Sequence, residues 1–159
     1  MSQPVTIAAS GDRDIVITRR FQAPRKLVWD AHTKPELIKR WLTGPDGWTM
    51  TVCEMDLRVG GKYRWEWSKT NGHSMGMGGE HREIAAPERL TATQLFDDDW
   101  TSGEAVGTLV LSEKAGVTTL TNTVQYSSPE ARDAVMKSPM DEGIIVGYER
   151  LDGVLASLA

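Results

Sequence analysis

The sequence predicts an α+β domain: a curved antiparallel sheet of about seven strands wrapped around a long C-terminal helix, with two short helices after the first strand. Three observations predict it. Apolar residues recur at every second position over much of residues 44–126, punctuated by Gly-Pro, Gly-Gly, Asn-Gly and Ala-Gly pairs at strand-length intervals; this is the pattern of a meander. Met140, Ile144, Gly147, Leu151, Leu155 and Leu158 step by three and four, which lays an apolar stripe along one side of a helix. A meander and an amphipathic helix each have one apolar face to bury, and each satisfies the other.

Taken in order, residues 1–12 are short, polar and mixed with small residues, so they read as a loose tail, and residues 13–159 as a single domain. Residues 14–22 form the first strand, with Ile15, Ile17 and Phe21 on one parity and Arg19 interrupting it. Pro24 and Pro35 each suit the first position of a helix, where a missing N–H costs nothing, so the chain makes two short helices rather than one. Residues 48–57 form a strand that places Cys53, Met55 and Leu57 on one face. Gly60-Gly61 reads as a tight hairpin turn, after which Tyr63, Trp65 and Trp67 alternate with Arg64 and Glu66. Residues 73–79 are glycine-rich and read as irregular at first. Strands follow over residues 80–85, 90–96, 106–111 and 119–126, the last two joined across Ala115-Gly116. Ser128-Pro129-Glu130 and Ser138-Pro139-Met140-Asp141 are successive helix-start signals, so the chain breaks near Ser138 before the long helix.

Composition narrows the function classes. A chain of 159 residues buries roughly 70% of its unfolded surface, enough for a core without disulfides or metals. Eighteen Lys and Arg against 22 Asp and Glu leave a net charge of −4, which argues against nucleic-acid and anionic-membrane partners. Cys53 is the single cysteine; it precludes an intramolecular disulfide and a four-cysteine zinc site. A lone thiol suits a reducing compartment, and the first 14 residues lack the pattern of a signal peptide, so the expected location is cytoplasmic. The longest apolar run, Ile144-Ile145-Val146, is far too short to span a bilayer. His32, His73 and His81 lack metal-ligand spacing, and Asp97-Asp98-Asp99 lacks the interleaved ligands of a calcium loop; no metal or cofactor is expected.

Four blocks, TRRFQAPRKLVWDAHTKPELIKRW, EMDLRVGGKYRW, GEHREIAAPERL and the closing SSPEARDAVMKSPMDEG with YERLDGVLA, resemble the activator of Hsp 90 ATPase homologue (AHSA-like) family. That family is a branch of the START-like (SRPBCC, Bet v I-like) helix-grip superfamily. The resemblance covers residues 14–158 and implies a helix-grip fold with a deep, mostly apolar cavity. It implies no single activity, because the fold carries binding proteins, cyclases and chaperone cofactors. The chain departs from the family pattern at Trp41-Leu42-Thr43-Gly44-Pro45, at His81, at Asn122 and at Ile144 after Gly143. These departures are expected to reshape the cavity.

Each candidate residue has two readings. Tyr63, Trp65 and Trp67 form either the aromatic wall of a ligand pocket or ordinary core. His81 is either a polar anchor or general base in the cavity, with Glu83 on the same parity to orient it, or a strand histidine facing solvent or satisfied by backbone. Asn122 interrupts the apolar series Leu120, Val124 and Tyr126; its amide needs a partner, water or ligand, or it costs about 1–3 kcal/mol. Cys53 reads as a buried, inert thiol. The residues expected to line a ligand site are Trp41, Tyr63, Trp65, Trp67, His81, Asn122, Ile144, Gly147 and Tyr148, and none is assigned as catalytic. The leading expectation is a cytoplasmic protein that binds an apolar or aromatic small molecule. The alternatives are a polyketide cyclase or hydrolase-like enzyme acting through His81, Glu83 or Asn122, and a co-chaperone that stimulates an Hsp 90-type ATPase. A homodimer is left open.

Overall fold

The computed structural model describes residues 3–44 and 46–158; Met1, Ser2, Pro45 and Ala159, which belong to the expected tail, the Gly-Pro turn and the end of the domain, lie outside them. The elements are β1 (Thr6–Ser10), β2 (Asp14–Phe21), α1 (Arg25–Thr33), α2 (Pro35–Ile38), β3 (Trp48–Met55), β4 (Lys62–Lys69), β5 (Ser74–Ala85), β6 (Arg89–Phe96), β7 (Ala105–Lys114), β8 (Val117–Gln125), α3 (Pro129–Met136) and α4 (Met140–Leu158). The strands form one antiparallel sheet in the order β1-β2-β8-β7-β6-β5-β4-β3. The α+β helix-grip architecture follows as expected, with α4 against the curved sheet.

Three local expectations need correction. The loose tail over residues 1–12 instead contains β1, which pairs with β2 from Thr6↔Thr18 to Ser10↔Asp14. That strand brings the sheet to eight. Its sequence, TIAAS, carries one large apolar side chain, Ile7, which packs on the core; tertiary pairing along a free β2 edge, not alternation, makes it a strand. Residues 73–79 are not irregular: β5 begins at Ser74, and Met75, Met77 and His81 alternate on its inner face. The β3–β4 connection is a six-residue loop rather than a two-residue hairpin, closed by Asp56 N donating to Lys62 O at 3.0 Å. Leu57 falls in that loop and is exposed, so it does not share the buried face of Cys53.

Other signals act as expected. Ala115 and Gly116 both take positive φ, 54° and 77°, the signature of a two-residue primed turn matched to strand twist. Ser128 caps α3 by accepting from Ala131 N at 3.0 Å, and the chain breaks before α4. Regular helix in α2 stops at Ile38, but hydrogen-bonded turns carry the chain on to Leu42, with Leu42 N donating to Ile38 O at 2.9 Å.

Burial divides into two clusters. One joins Ile15, Ile17, Phe21, Leu109, Leu120 and Val124 of the sheet to Trp29, Trp41, Tyr148, Leu151 and Leu155 of the helical side. The other gathers Ile38, Met50, Cys53, Tyr63, Trp67 and Met77 at the β3–β5 end. Arg19 does not interrupt the inner face of β2; it lies on it, 2% exposed. Its guanidinium meets Asp152 of α4 through two bonds of 2.6 and 2.7 Å and lies 4.6 Å from the Phe21 ring centroid. A charge tolerated at that depth must be paired, and the pair ties α4 to β2.

Candidate functional site

A cavity of about 480 Å³ lies between the two clusters, under α4. This is the size range of small-molecule sites. Strand β4 positions the aromatic wall: period-two alternation turns Tyr63, Trp65 and Trp67 inward, with Met75 and Met77 of β5 beside them. Tyr63 and Trp65 stand 4.9 Å apart between ring centroids, and Trp65 and Trp67 6.3 Å apart and edge-on. Two of these side chains are held by their polar ends. Tyr63 Oη donates to Thr93 O at 2.6 Å, and Trp67 Nε1 donates to Leu42 O at 2.8 Å. Among the described residues, Trp65 Nε1 is buried without a partner.

The helical side supplies the opposite wall. Trp41 is fixed by its Nε1–H to Ala31 O at 2.8 Å and stacks on Tyr148 at 6.1 Å. Ile144, Gly147 and Tyr148 of α4 complete that wall. The base of the cavity is the centre of the sheet, where Leu109, Asn122 and Val124 face inward. All nine residues expected from the sequence therefore meet at one cavity.

His81 is inward and 1% exposed. Its Nδ1–H donates to Asp56 O at 3.0 Å, and its ring lies 5.6 Å from Tyr63. The suggested partnership with Glu83 does not exist. The β5–β6 register shifts between His81 and Glu83, so the extra residue turns Glu83 to the exposed side. There Glu83 bonds Arg89 at 2.6 Å, and this bond holds its carboxyl below the usual range. His81 is thus the reading of a histidine satisfied by backbone, on a cavity wall.

Asn122 faces the cavity, and among the described residues its amide has no hydrogen-bonded partner, so α4 does not satisfy it. Cys53 is buried in the β3–β5 cluster and does not line the cavity, and burial pushes its thiol up, away from the thiolate that a nucleophile needs. Sequence reading missed several cavity residues. Gln94 shares the inner parity of Leu90, Ala92 and Phe96, a readable alternation. Met75 and Met77 were hidden in a glycine-rich segment. His32 enters from α1, its Nδ1–H donating to Val28 O at 2.8 Å and its ring 5.0 Å from Trp41. Arg150 reaches the rim of the cavity but is tied to Thr43 Oγ1 and Gly44 O, each at 2.6 Å. Among the described residues no group of His, Cys, Asp and Glu could hold a metal ion, and no helix is long and apolar enough to cross a membrane.

A long helix gripped by a curved antiparallel sheet is an arrangement with known relatives. Residues 22–156 match the model of the activator of Hsp90 ATPase homolog 1-like protein family. The chain belongs to that family. Among solved structures, this AHSA1-like chain is similar to a protein of Rhodobacter sphaeroides, with 35% identity, 96% of this chain and 98% of that one covered, and a TM-score of 0.91. It is also similar to a Chromobacterium violaceum protein, at 26% identity over 91% and 98% of the two chains with a TM-score of 0.77. An AHSA1-like protein from Aeromonas hydrophila shares the fold at 20% identity, 91% and 95% coverage and a TM-score of 0.67. No curated protein matches the sequence.

Proposed function

We propose that this AHSA1-like chain binds a small apolar or aromatic molecule in the cavity between the sheet and α4. One observation carries the reading: the 480 Å³ space is walled by aromatic and methionine side chains that already have their core positions and leave the space between them open. Flat apolar walls reward a flat apolar guest through burial and aromatic contact, and methionine adapts to irregular shapes. Family membership supports the same reading, since it supplies the fold and assigns no reaction.

Four tryptophans, Trp41, Trp65, Trp67 and Trp100, line the space, so fluorescence reports its occupancy. Titration with 2-ethylnaphthalene is expected to quench tryptophan emission saturably, with one molecule per chain and no chemical change in the probe. Quenching that rises linearly without saturation sinks the reading.

A further inference from the structure

The centre of the sheet carries a polar feature that an apolar guest would leave unsatisfied. Gln94 of β6 and Asn122 of β8 both face the cavity, on either side of Gly107 of β7. A methyl group at Gly107 would collide with Gln94 Nε2 and lie 3.9 Å from Asn122 Oδ1. The two amides therefore share the space above the glycine, and Ala there would displace Gln94. They do not bond each other, and no other described side chain bonds either. The surrounding wall is apolar: Ile17, Leu90, Ala92, Leu109 and Val124. Amides on such a wall need partners from whatever fills the cavity. Each offers a donor and an acceptor. The one permanently charged side chain among the described lining residues, Arg150, is occupied at the rim by Thr43, Gly44 and Asp46, so a charged guest finds no free counter-charge within.

We infer that the ligand carries an uncharged group that both donates and accepts hydrogen bonds, such as a carboxamide or lactam, and that the amides of Gln94 and Asn122 anchor it over Gly107 with its flat apolar body against Trp65 and Trp67. The inference rests on the reading that the cavity holds a small molecule. A site built from paired amides discriminates strongly, because a guest lacking the group leaves both unpaired.

The test compares 2-naphthamide with its apolar counterpart 2-ethylnaphthalene by tryptophan quenching, in the wild type, Asn122→Leu and Gln94→Leu. Asn122→Leu keeps the branched outline of the side chain, Gln94→Leu shortens it by one atom, and thermal melts report their folding. The ratio of the two affinities is the readout. It is expected to shift against 2-naphthamide by about tenfold in each variant, the worth of one lost hydrogen bond, while 2-ethylnaphthalene binds as well or better. If Asn122→Leu does not fold, Gln94→Leu decides alone. An unchanged ratio overturns the anchor, as does anionic 2-naphthoate binding the wild type as tightly as the amide; in either case saturable binding of 2-ethylnaphthalene leaves the cavity reading standing. If neither neutral probe quenches the wild type saturably, the cavity reading fails and the anchor with it.

Discussion

His32 shows what burial does to one ring. It is wedged between α1 and Trp41 with Nδ1–H committed to Val28 O, and loss of solvation pulls its pKa from 6.5 down to about 4. The folded protein therefore holds it neutral while the unfolded chain protonates it near pH 6.5. Below that pH the unfolded state binds a proton that the native state refuses, so stability falls as pH drops from 6.5 toward 4. The loss at pH 4.5 is expected to be about 2–3 kcal/mol. Urea midpoints at pH 7.5 and 4.5 check it: His32→Leu should remove that share of the acid loss. Equal acid losses in the variant and wild type would show that His32 titrates normally. The same rule of partners governs Asn122 and Gln94, which meet open space instead of backbone and so remain available to a guest.

At the scale of elements, the placement of α4 depends on how its apolar stripe and one charge meet β2. Leu151 is fully buried, and Asp152 beside it closes on Arg19. Removing Asp152 strands a guanidinium that is nearly inaccessible to water. Asp152→Ala should therefore cost about 3 kcal/mol, a fall in melting temperature of about 6–12 °C for a chain of this size. Replacing both partners together, Arg19→Met with Asp152→Leu, should recover most of that loss, because no charge is then left buried. A double variant no more stable than Asp152→Ala would mean that the pair contributes geometry that packing cannot replace. Strand β5 teaches a related lesson: a single extra residue after His81 sends Glu83 outward and breaks an apparent catalytic pairing.

On the scale of the whole molecule, two hydrophobic clusters leave a gap, and Gly147 borders it. A methyl group there would sit 3.9 Å from Trp41 Cε3, in ordinary contact. Glycine within a helix costs about 1 kcal/mol relative to alanine, so Gly147→Ala should stabilise the protein by up to about that much. Gly147→Leu extends further into the cavity. It should leave the melting temperature level or raised while abolishing saturable quenching by 2-ethylnaphthalene. A melting temperature that collapses would show α4 seated tight on its neighbours at that point. Undiminished binding would show that the guest lies elsewhere.

Alternation along residues 48–126, the three- and four-residue steps of α4, the capping Ser128 and the Ala115-Gly116 turn made the sheet, the long helix and their mutual packing legible. These signals are local: side-chain direction follows from the period of the backbone, and turn geometry from φ at one or two residues. The same periods brought Tyr63, Trp65, Trp67, Asn122, Gly147 and Tyr148 to one face or its opposite wall. Tertiary structure decided the rest. Strand β1 exists because β2 has an edge to pair. Arg19 is buried because Asp152 arrives from a helix 133 residues away. The bulge after His81 and the loop at Asp56 set which polar atoms face the cavity. Gln94 and Asn122 share the space over Gly107 only because three consecutive strands, β6, β7 and β8, pair in one register. Periodicity says which way a side chain points; which atoms it meets depends on what long-range pairing places opposite.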